Sequence, residues 1–244
     1  MAGKKERESE RRAIADKLRR EQERREKRRN LLFLVGIVVV VVGLLAAAVI
    51  PYVKNQRREH ALAGTALDKL GVSESAASCD DILSKKTDHN QQHIPDPTPI
   101  TYPDSPPSFG PHRPSPAAFE RKFYTAQDRP EVATLVHNLE HGYTILWYDE
   151  TISKDQKQKD AIEAIAKKMD EERFIAAPWT SDDGKAFPDG KHVALTRWTA
   201  DAKDPSNESL QRGNWQYCGG VSGQVVGNFV DKWPNAESPE PGIF

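Results

Sequence analysis

The hydrophobic positions of this chain form one uninterrupted apolar run near the N-terminus and many shorter segments after it. The run covers residues 31–53, reads LLFLVGIVVVVVGLLAAAVIPYV and contains no charged side chain. A helix of this length, at about 1.5 Å per residue, reaches across the roughly 30 Å hydrocarbon core of a bilayer. The pattern therefore predicts one transmembrane helix at residues 31–53.

The two segments that follow the apolar run lack a globular pattern. Residues 54–88 are predicted to form a helical stalk or linker, because apolar residues recur there at loosely helical spacing. Residues 89–118 hold a dense series of prolines, which exclude a helix or a central strand, so we expect an extended loop. The aromatic and histidine side chains of this loop indicate that residues 70–118 pack onto the domain that follows.

Segments rich in β-branched and aromatic residues predict three strands in the last half of the chain. They lie at residues 143–148, 174–179 and 192–198. Helical segments alternate with them, so we expect one small α+β domain over residues 119–244. Its mixed or antiparallel sheet would be covered by one or two helices. A segment of this length is long enough to bury a hydrophobic core.

The helices of this domain are predicted from apolar spacing and capping residues. One covers residues 132–141, and a second begins with Ser153 as its N-cap and presents an apolar face from Ile162 onward. Residues 208–217 are also expected to be helical. Residues 225–233 are expected to form a last helix or a strand.

The charge distribution predicts the orientation of the transmembrane helix. Residues 1–30 contain 13 basic and 7 acidic side chains, and a basic flank beside the first span normally stays in the cytoplasm. Lys54, Arg57 and Arg58 weaken this asymmetry without reversing it. We therefore expect a charged cytoplasmic tail at residues 1–30 and an extracytoplasmic location for residues 54–244. The 22 basic and 29 acidic side chains of residues 31–244 argue against a nucleic-acid surface there.

Two export signals compete with a permanent anchor in the cell membrane. Residues 46–48 fit an A-x-A cleavage site, and residues 28–32 resemble a twin-arginine signal. The length of the charged tail and the continuation of the apolar run to Val53 favour an uncleaved anchor. The tail is rich in helix formers and is expected to be a solvated helix. The alternative is that its basic side chains attract anionic lipid headgroups.

The chain contains only two cysteines, Cys79 and Cys218. Both fall on the side predicted to be extracytoplasmic, where conditions are usually oxidising, so a disulfide is expected. It would close a loop of about 140 residues, for which the chain-entropy model gives a stabilisation of about 4–5 kcal/mol. Metal binding by the thiols is the alternative, but the pair lacks C-x-x-C spacing.

A cluster of histidines supplies the candidate chemistry. His137 and His141 lie at i and i+4 of a predicted helix, a spacing that lets two imidazoles reach one metal ion. Glu140 lies beside them, and His112 on the proline-rich loop can complete the site, as can His89 or His93. Imidazole ligands suit zinc or copper.

Two alternatives to a simple metal site remain open from the sequence. The letters HNLEH match the H-x-x-E-H motif, in which Glu140 would activate water for a zinc peptidase. Against this, Gly142 ends the helix directly after the motif, whereas the peptidase requires a long helix and a further carboxylate ligand. The other alternative is a structural hydrogen-bonded corner in which Glu140 pairs with Arg113 or Arg121.

Two motifs give the chain a resemblance to a known family. They are PPSFGPH at residues 106–112 and HNLEHG at residues 137–142. Together with the following strand they resemble the domain of unknown function 3105 family, found in membrane-anchored proteins, largely of actinobacteria, over about residues 70–240. The resemblance implies an exported domain behind a single span, centred on His112, His137 and His141. Phe109 stands where the family tends to have Ser, which can alter a hydroxyl contact near His112.

We therefore expect a single-pass membrane protein rather than an enzyme. Its extracytoplasmic domain would bind an envelope protein complex, or a zinc or copper ion held by His112, His137 and His141. One alternative is a metal-dependent hydrolase with Glu140 as the general base. Another is a metallochaperone or assembly factor for an envelope metalloenzyme.

Overall fold

The computed structural model describes residues 2–242, which form two compact units that divide at His60. The first unit consists of the greater part of one long helix, α1 (Ala2–Ala63), which contains the apolar run. By length and composition this helix can cross a membrane. Although valine is a modest helix former in water, a segment that lies in hydrocarbon is favoured as a helix because every backbone polar group must then be satisfied within the segment.

The helix predicted for the stalk is shorter than expected. α1 ends at Ala63, and residues 64–82 contain turns, one 3₁₀ turn at Leu67–Lys69 and an isolated bridge between Gly71 and Ser222. Leu70 is buried in the core of the second unit, and the backbone N–H of Val72 donates to the carbonyl of Val221 at 2.8 Å. The leucines of this segment therefore pack into the folded domain instead of forming one face of a stalk helix.

The second unit is built on a mixed sheet of five strands, which confirms the α+β prediction. The strands are β1 (Leu83–Lys86), β2 (Thr144–Tyr148), β3 (Phe174–Pro178), β4 (Val193–Thr199) and β5 (Arg212–Cys218). Their order across the sheet is β1-β5-β4-β2-β3, and only β2 and β3 are parallel. The helices α3 (Glu150–Lys154) and α4 (Gln156–Lys168) connect this parallel pair, as a parallel crossover requires.

Two hydrophobic cores cover the two faces of the sheet. Along β2 the buried side chains alternate, so Leu146 joins the core beneath α4 and α5 (Gly223–Asp231), as the period of two in a strand dictates. Trp147 joins the opposite core, which includes α2 (Val132–Glu140) and aromatic residues of the proline-rich loop. The central strands are therefore buried on both faces.

The structure corrects the prediction for the start of the second helix. Asp149 caps α3 through the N–H groups of Thr151 and Ile152, and Asp155 caps α4. The hydroxyl of Ser153 instead donates to the carbonyl of Asp149. Two aspartates thus satisfy the first amides of two consecutive helices, a role that carboxylates perform well.

The helix predicted for residues 208–217 is wrong. Only Glu208–Leu210 forms a 3₁₀ turn, and β5 then pairs with β4 on one side and β1 on the other. The aromatic residues of this segment favour a strand once two neighbouring strands are present to pair with it. The last element, for which helix and strand were both open, is the helix α5.

The predicted disulfide is confirmed, since Cys79 and Cys218 are joined with an S–S distance of 2.03 Å. Cys218 ends β5, and the backbone beside Cys79 pairs with the same region. Gly219 donates to the carbonyl of Ala77 at 2.7 Å, and Asp80 donates to that of Tyr217 at 2.8 Å. The bridge therefore attaches the segment after α1 to the centre of the domain.

Phe109 of the proline-rich loop packs between two tryptophans. Its ring centroid lies 6.2 Å from that of Trp198 and 5.9 Å from that of Trp215. The hydroxyl contacts in this region come from the preceding residue, because Ser108 donates to the carbonyl of Arg197 and accepts from the N–H of Asn214.

Gly213→Ala should destabilise the folded unit, because an added Cβ would lie 2.7 Å from atoms of both Phe109 and Trp215. Overpacking of this kind costs about 1–3 kcal/mol. The free energy of unfolding would be measured by urea denaturation followed by tryptophan fluorescence. Gly242→Ala is the control, since nothing lies within 4 Å of its added Cβ. Equal stabilities for the two variants would contradict the prediction.

Candidate metal centre

Helix α2 supplies three of the polar residues of the candidate site. Its apolar side chains pack into the core, and His137, Glu140 and His141 share its C-terminal turn and are all buried. Gly142 then takes a φ of +81°, which lets the chain turn directly into β2. A Cβ at this position would lie 3.0 Å from the side chain of Ser238.

The proline-rich loop supplies two further histidines. His93 and His112 form an isolated parallel bridge, in which Ile94 donates to the carbonyl of His112 at 2.7 Å and His112 donates to that of Gln92 at 3.0 Å. This pairing places the ring of His93 edge-on to that of His112, with 4.7 Å between centroids. The loop thereby brings both imidazoles to the end of α2.

The five side chains form two overlapping groups of potential metal ligands. His93, His112 and His137 offer donor atoms within 4.8 Å of one another, and so do His137, Glu140 and His141. His137 belongs to both groups. The Nε2 atoms of His137 and His141 are 2.8 Å apart, and Oε2 of Glu140 lies 3.0 Å from Nε2 of His112 and 3.6 Å from Nε2 of His93.

The Nδ1 atom of each buried histidine contacts a backbone carbonyl oxygen. Nδ1 of His112 lies 2.8 Å from the carbonyl oxygen of Gly110, and Nδ1 of His137 lies 2.5 Å from that of Arg113. Nδ1 of His141 lies 3.3 Å from that of Glu240. Because a carbonyl oxygen only accepts, each Nδ1 carries the proton in these contacts, and in the neutral ring each Nε2 presents a lone pair.

Two buried atoms at the centre lack a hydrogen bond among the described residues. They are Nε2 of His112 and Oε2 of Glu140, which are close together but outside hydrogen-bonding geometry. A buried polar atom left in this state costs about 1–3 kcal/mol. The arrangement is therefore costly as a purely structural network, and a cation between these atoms would relieve the cost.

Burial and mutual charge set the protonation of the cluster. Burial, together with the neighbouring His112 and His141, lowers the pKa of His137 to about 4 against the effect of its carbonyl hydrogen bond. Burial alone would raise the pKa of Glu140, but the surrounding imidazoles, His112 foremost, outweigh it and lower that pKa. At neutral pH the cluster therefore contains a carboxylate and a neutral His137, the forms in which these side chains bind metals.

Three predicted partners lie outside this cluster. His89 is on the surface, 3.8 Å from Glu208. Neither arginine proposed to pair with Glu140 does so: Arg113 is paired with Glu131, and Arg121 with Asp128. The guanidinium of Arg113 also donates to the carbonyls of Ile94 and Thr98 in the proline-rich loop, so it is not available to Glu140.

Sequence reasoning missed the contribution of the C-terminal segment. The carbonyl of Glu240 faces His141, and Arg173 donates both to the carbonyl of His141 and to that of Pro241. Nothing in the local sequence around Glu240 signals this contact. The partner is a backbone oxygen almost a hundred residues away, and only the folded chain brings it to the site.

Comparison with known proteins gives one match. No curated protein and no solved structure matches the chain. Residues 93–243 match the family described as proteins of unknown function, DUF3105. The match covers more than half of the chain and begins at His93, further along than the resemblance had implied. It includes every residue of the candidate metal centre, and the chain therefore belongs to the DUF3105 family of proteins of unknown function.

Proposed function

We propose that this protein is anchored in the cell membrane by α1 and that its folded domain binds one transition-metal ion. The ligands are drawn from His112, His137, Glu140 and His141. The N-terminal tail is cytoplasmic in this proposal, and the domain is extracytoplasmic. The basic flank before the apolar run supports this orientation, as does a disulfide of the kind that persists in oxidising compartments.

The observation that carries the metal proposal is the shared orientation of the three buried imidazoles. A histidine that ligates a metal usually donates its other ring N–H to a carbonyl or carboxylate, which fixes the ring and its tautomer. His112, His137 and His141 each make this contact with a backbone carbonyl. Because each Nδ1 donates outward, the three Nε2 atoms are left as acceptors, and those of His137 and His141 lie 2.8 Å apart.

The contact between His137 and His141 supports the same conclusion. Their Nε2 atoms lie 2.8 Å apart, a contact that requires a proton or another cation between them. If both Nδ1 atoms donate to carbonyls, neither neutral ring has a proton on Nε2, and the two lone pairs repel each other. A low pKa for His137 disfavours a shared proton as that cation. A metal ion that accepts both lone pairs, with its charge partly balanced by Glu140, removes the repulsion.

The nature of the donor atoms favours zinc or copper. Neutral imidazole suits both ions, whereas magnesium and calcium prefer oxygen ligands. Hydrolysis with Glu140 as the base is less well supported, because a substrate and a water molecule would have to reach a side chain that is 1% exposed. Binding of the ion without catalysis is the function that the geometry supports best.

Elemental analysis of the full chain, purified in detergent micelles and dialysed against zinc or copper, tests this proposal. We expect one ion per chain, and we expect the ion to raise the midpoint of thermal unfolding because it binds only the folded state. A chain that holds no stoichiometric metal and shows no shift in midpoint would leave the cluster as a structural network and refute the proposal.

A further inference from the structure

His93 differs from the other members of the cluster in its exposure to solvent. Its side chain is 45% exposed, whereas that of His112 is fully buried and that of Glu140 is 1% exposed. His137 and His141 are also buried. Among the described residues of the two ligand groups, His93 is therefore the one that a hydrated ion in solution can contact directly.

The ring of His93 lies over the buried ligands. It is stacked on His137 with 5.0 Å between centroids and an interplanar angle of 17°, and it meets His112 edge-on. Its Nε2 lies 3.6 Å from Oε2 of Glu140. An ion bound by His93 would therefore start within reach of both His137 and Glu140.

The backbone before His93 is held by both local and long-range contacts. Asn90 and Gln92 are joined within their own turn, whereas Gln91 donates to the side chain of Gln211 and the carbonyl of Gln92 accepts from the N–H of His112. The bridge to His112 fixes the position of the backbone, but the side chain itself is half in solvent. Exposed side chains of this kind change rotamer in picoseconds to nanoseconds.

We propose that His93 is the exchange ligand of the metal centre, the side chain through which the ion enters and leaves. This inference rests on the metal binding proposed above. Nε2 of His93 replaces one water of the hydrated divalent ion, and the buried nitrogens of His137 and His112 then replace others. Release follows the same steps in reverse. The ion then passes to water or to an exposed ligand atom of another molecule. No electron is transferred.

This role explains why the exposed imidazole of His93 lies beside ligands that are otherwise buried. A site closed on all sides would hold its ion firmly but would load and unload slowly, since every ligand would be out of reach of solvent. One exposed ligand supplies an entry path, which a functional metal site requires. The substrate in this sense is a divalent transition-metal ion that the domain accepts and passes on.

His93→Phe is the test, because phenylalanine keeps a ring stacked on His137 but has no ligand nitrogen. The full chain in detergent micelles would be loaded with Zn²⁺, and its uptake and its release to an excess of chelating dye would be followed by stopped flow. We expect the variant to bind one ion, with both rates slowed by about tenfold or more, the lower end of the effects seen when groups around a metal are removed.

His89→Asn is the matched control, since His89 lies on the same loop, is about equally exposed and contacts Glu208 outside the cluster. Asparagine also tolerates its positive φ. This control should exchange zinc at the wild-type rates. Unchanged rates in His93→Phe, faster exchange, or loss of the ion would each overturn the exchange role. A wild-type chain that binds no zinc would instead refute the metal proposal itself.

Discussion

His137→Gln should remove the metal ion from the protein, whereas the variant should remain folded. His137 is the residue shared by both ligand groups, so its loss leaves neither group with three donors. Glutamine has a similar length, and its amide can still donate to the carbonyl of Arg113, the contact that His137 makes through Nδ1. We expect the metal content, measured by elemental analysis of the full chain, to fall from one ion per chain to none.

Two further measurements make this result interpretable. Near-ultraviolet circular dichroism should show that the variant retains the tertiary packing of its aromatic side chains. His89→Asn should retain the ion, because His89 lies outside both ligand groups. If folded His137→Gln still carried stoichiometric metal, the ion would have to be bound elsewhere, and the proposed centre would be wrong.

Replacing both cysteines by serine, Cys79→Ser with Cys218→Ser, should cause the largest loss of stability. The bridge spans 139 positions of sequence, and in the chain-entropy model its removal costs about 4–5 kcal/mol, a large part of the stability of an ordinary domain. The measurement is urea denaturation of the full chain followed by the fluorescence of its five tryptophans, all of which lie in the second unit.

Chemical reduction supplies the matched control for the double variant. The wild-type chain treated with a reducing agent should unfold at the same lowered urea concentration as the double variant, because the two chains then lack the same constraint. The oxidised wild type should unfold at a higher concentration. If the oxidised wild type and the double variant unfolded together, hydrogen bonds such as that from Gly219 to Ala77 would be sufficient to hold the segment.

The parts of the fold that were predicted correctly are those in which local pattern and tertiary burial agree. Strand β2 reads TILWY, and all five residues are buried, so its apolar and β-branched residues meet the environment they favour. Helix α2 has apolar residues at helical spacing and packs them into the core. The cysteine pairing was predictable because the chain has no other cysteine with which either could pair.

The errors occurred where tertiary contacts overrode a local preference. The segment after Ala63 has apolar residues at loosely helical spacing, but Leu70 is buried beside Val221 in the core instead. Residues 212–218 form a strand because β1 and β4 offer hydrogen bonds on both sides. Neither neighbour can be read from the segment itself.

The sequence by itself determined that the chain has one run long and apolar enough to cross a membrane. It also determined that His137, Glu140 and His141 fall on one turn of a helix, since helical spacing is a local property. Only the tertiary structure decided that His93 joins this turn, that His89 does not, and that carbonyls of distant residues orient the imidazoles. Those contacts join positions up to a hundred residues apart, and they exist only after the loop and the C-terminal segment have packed against α2.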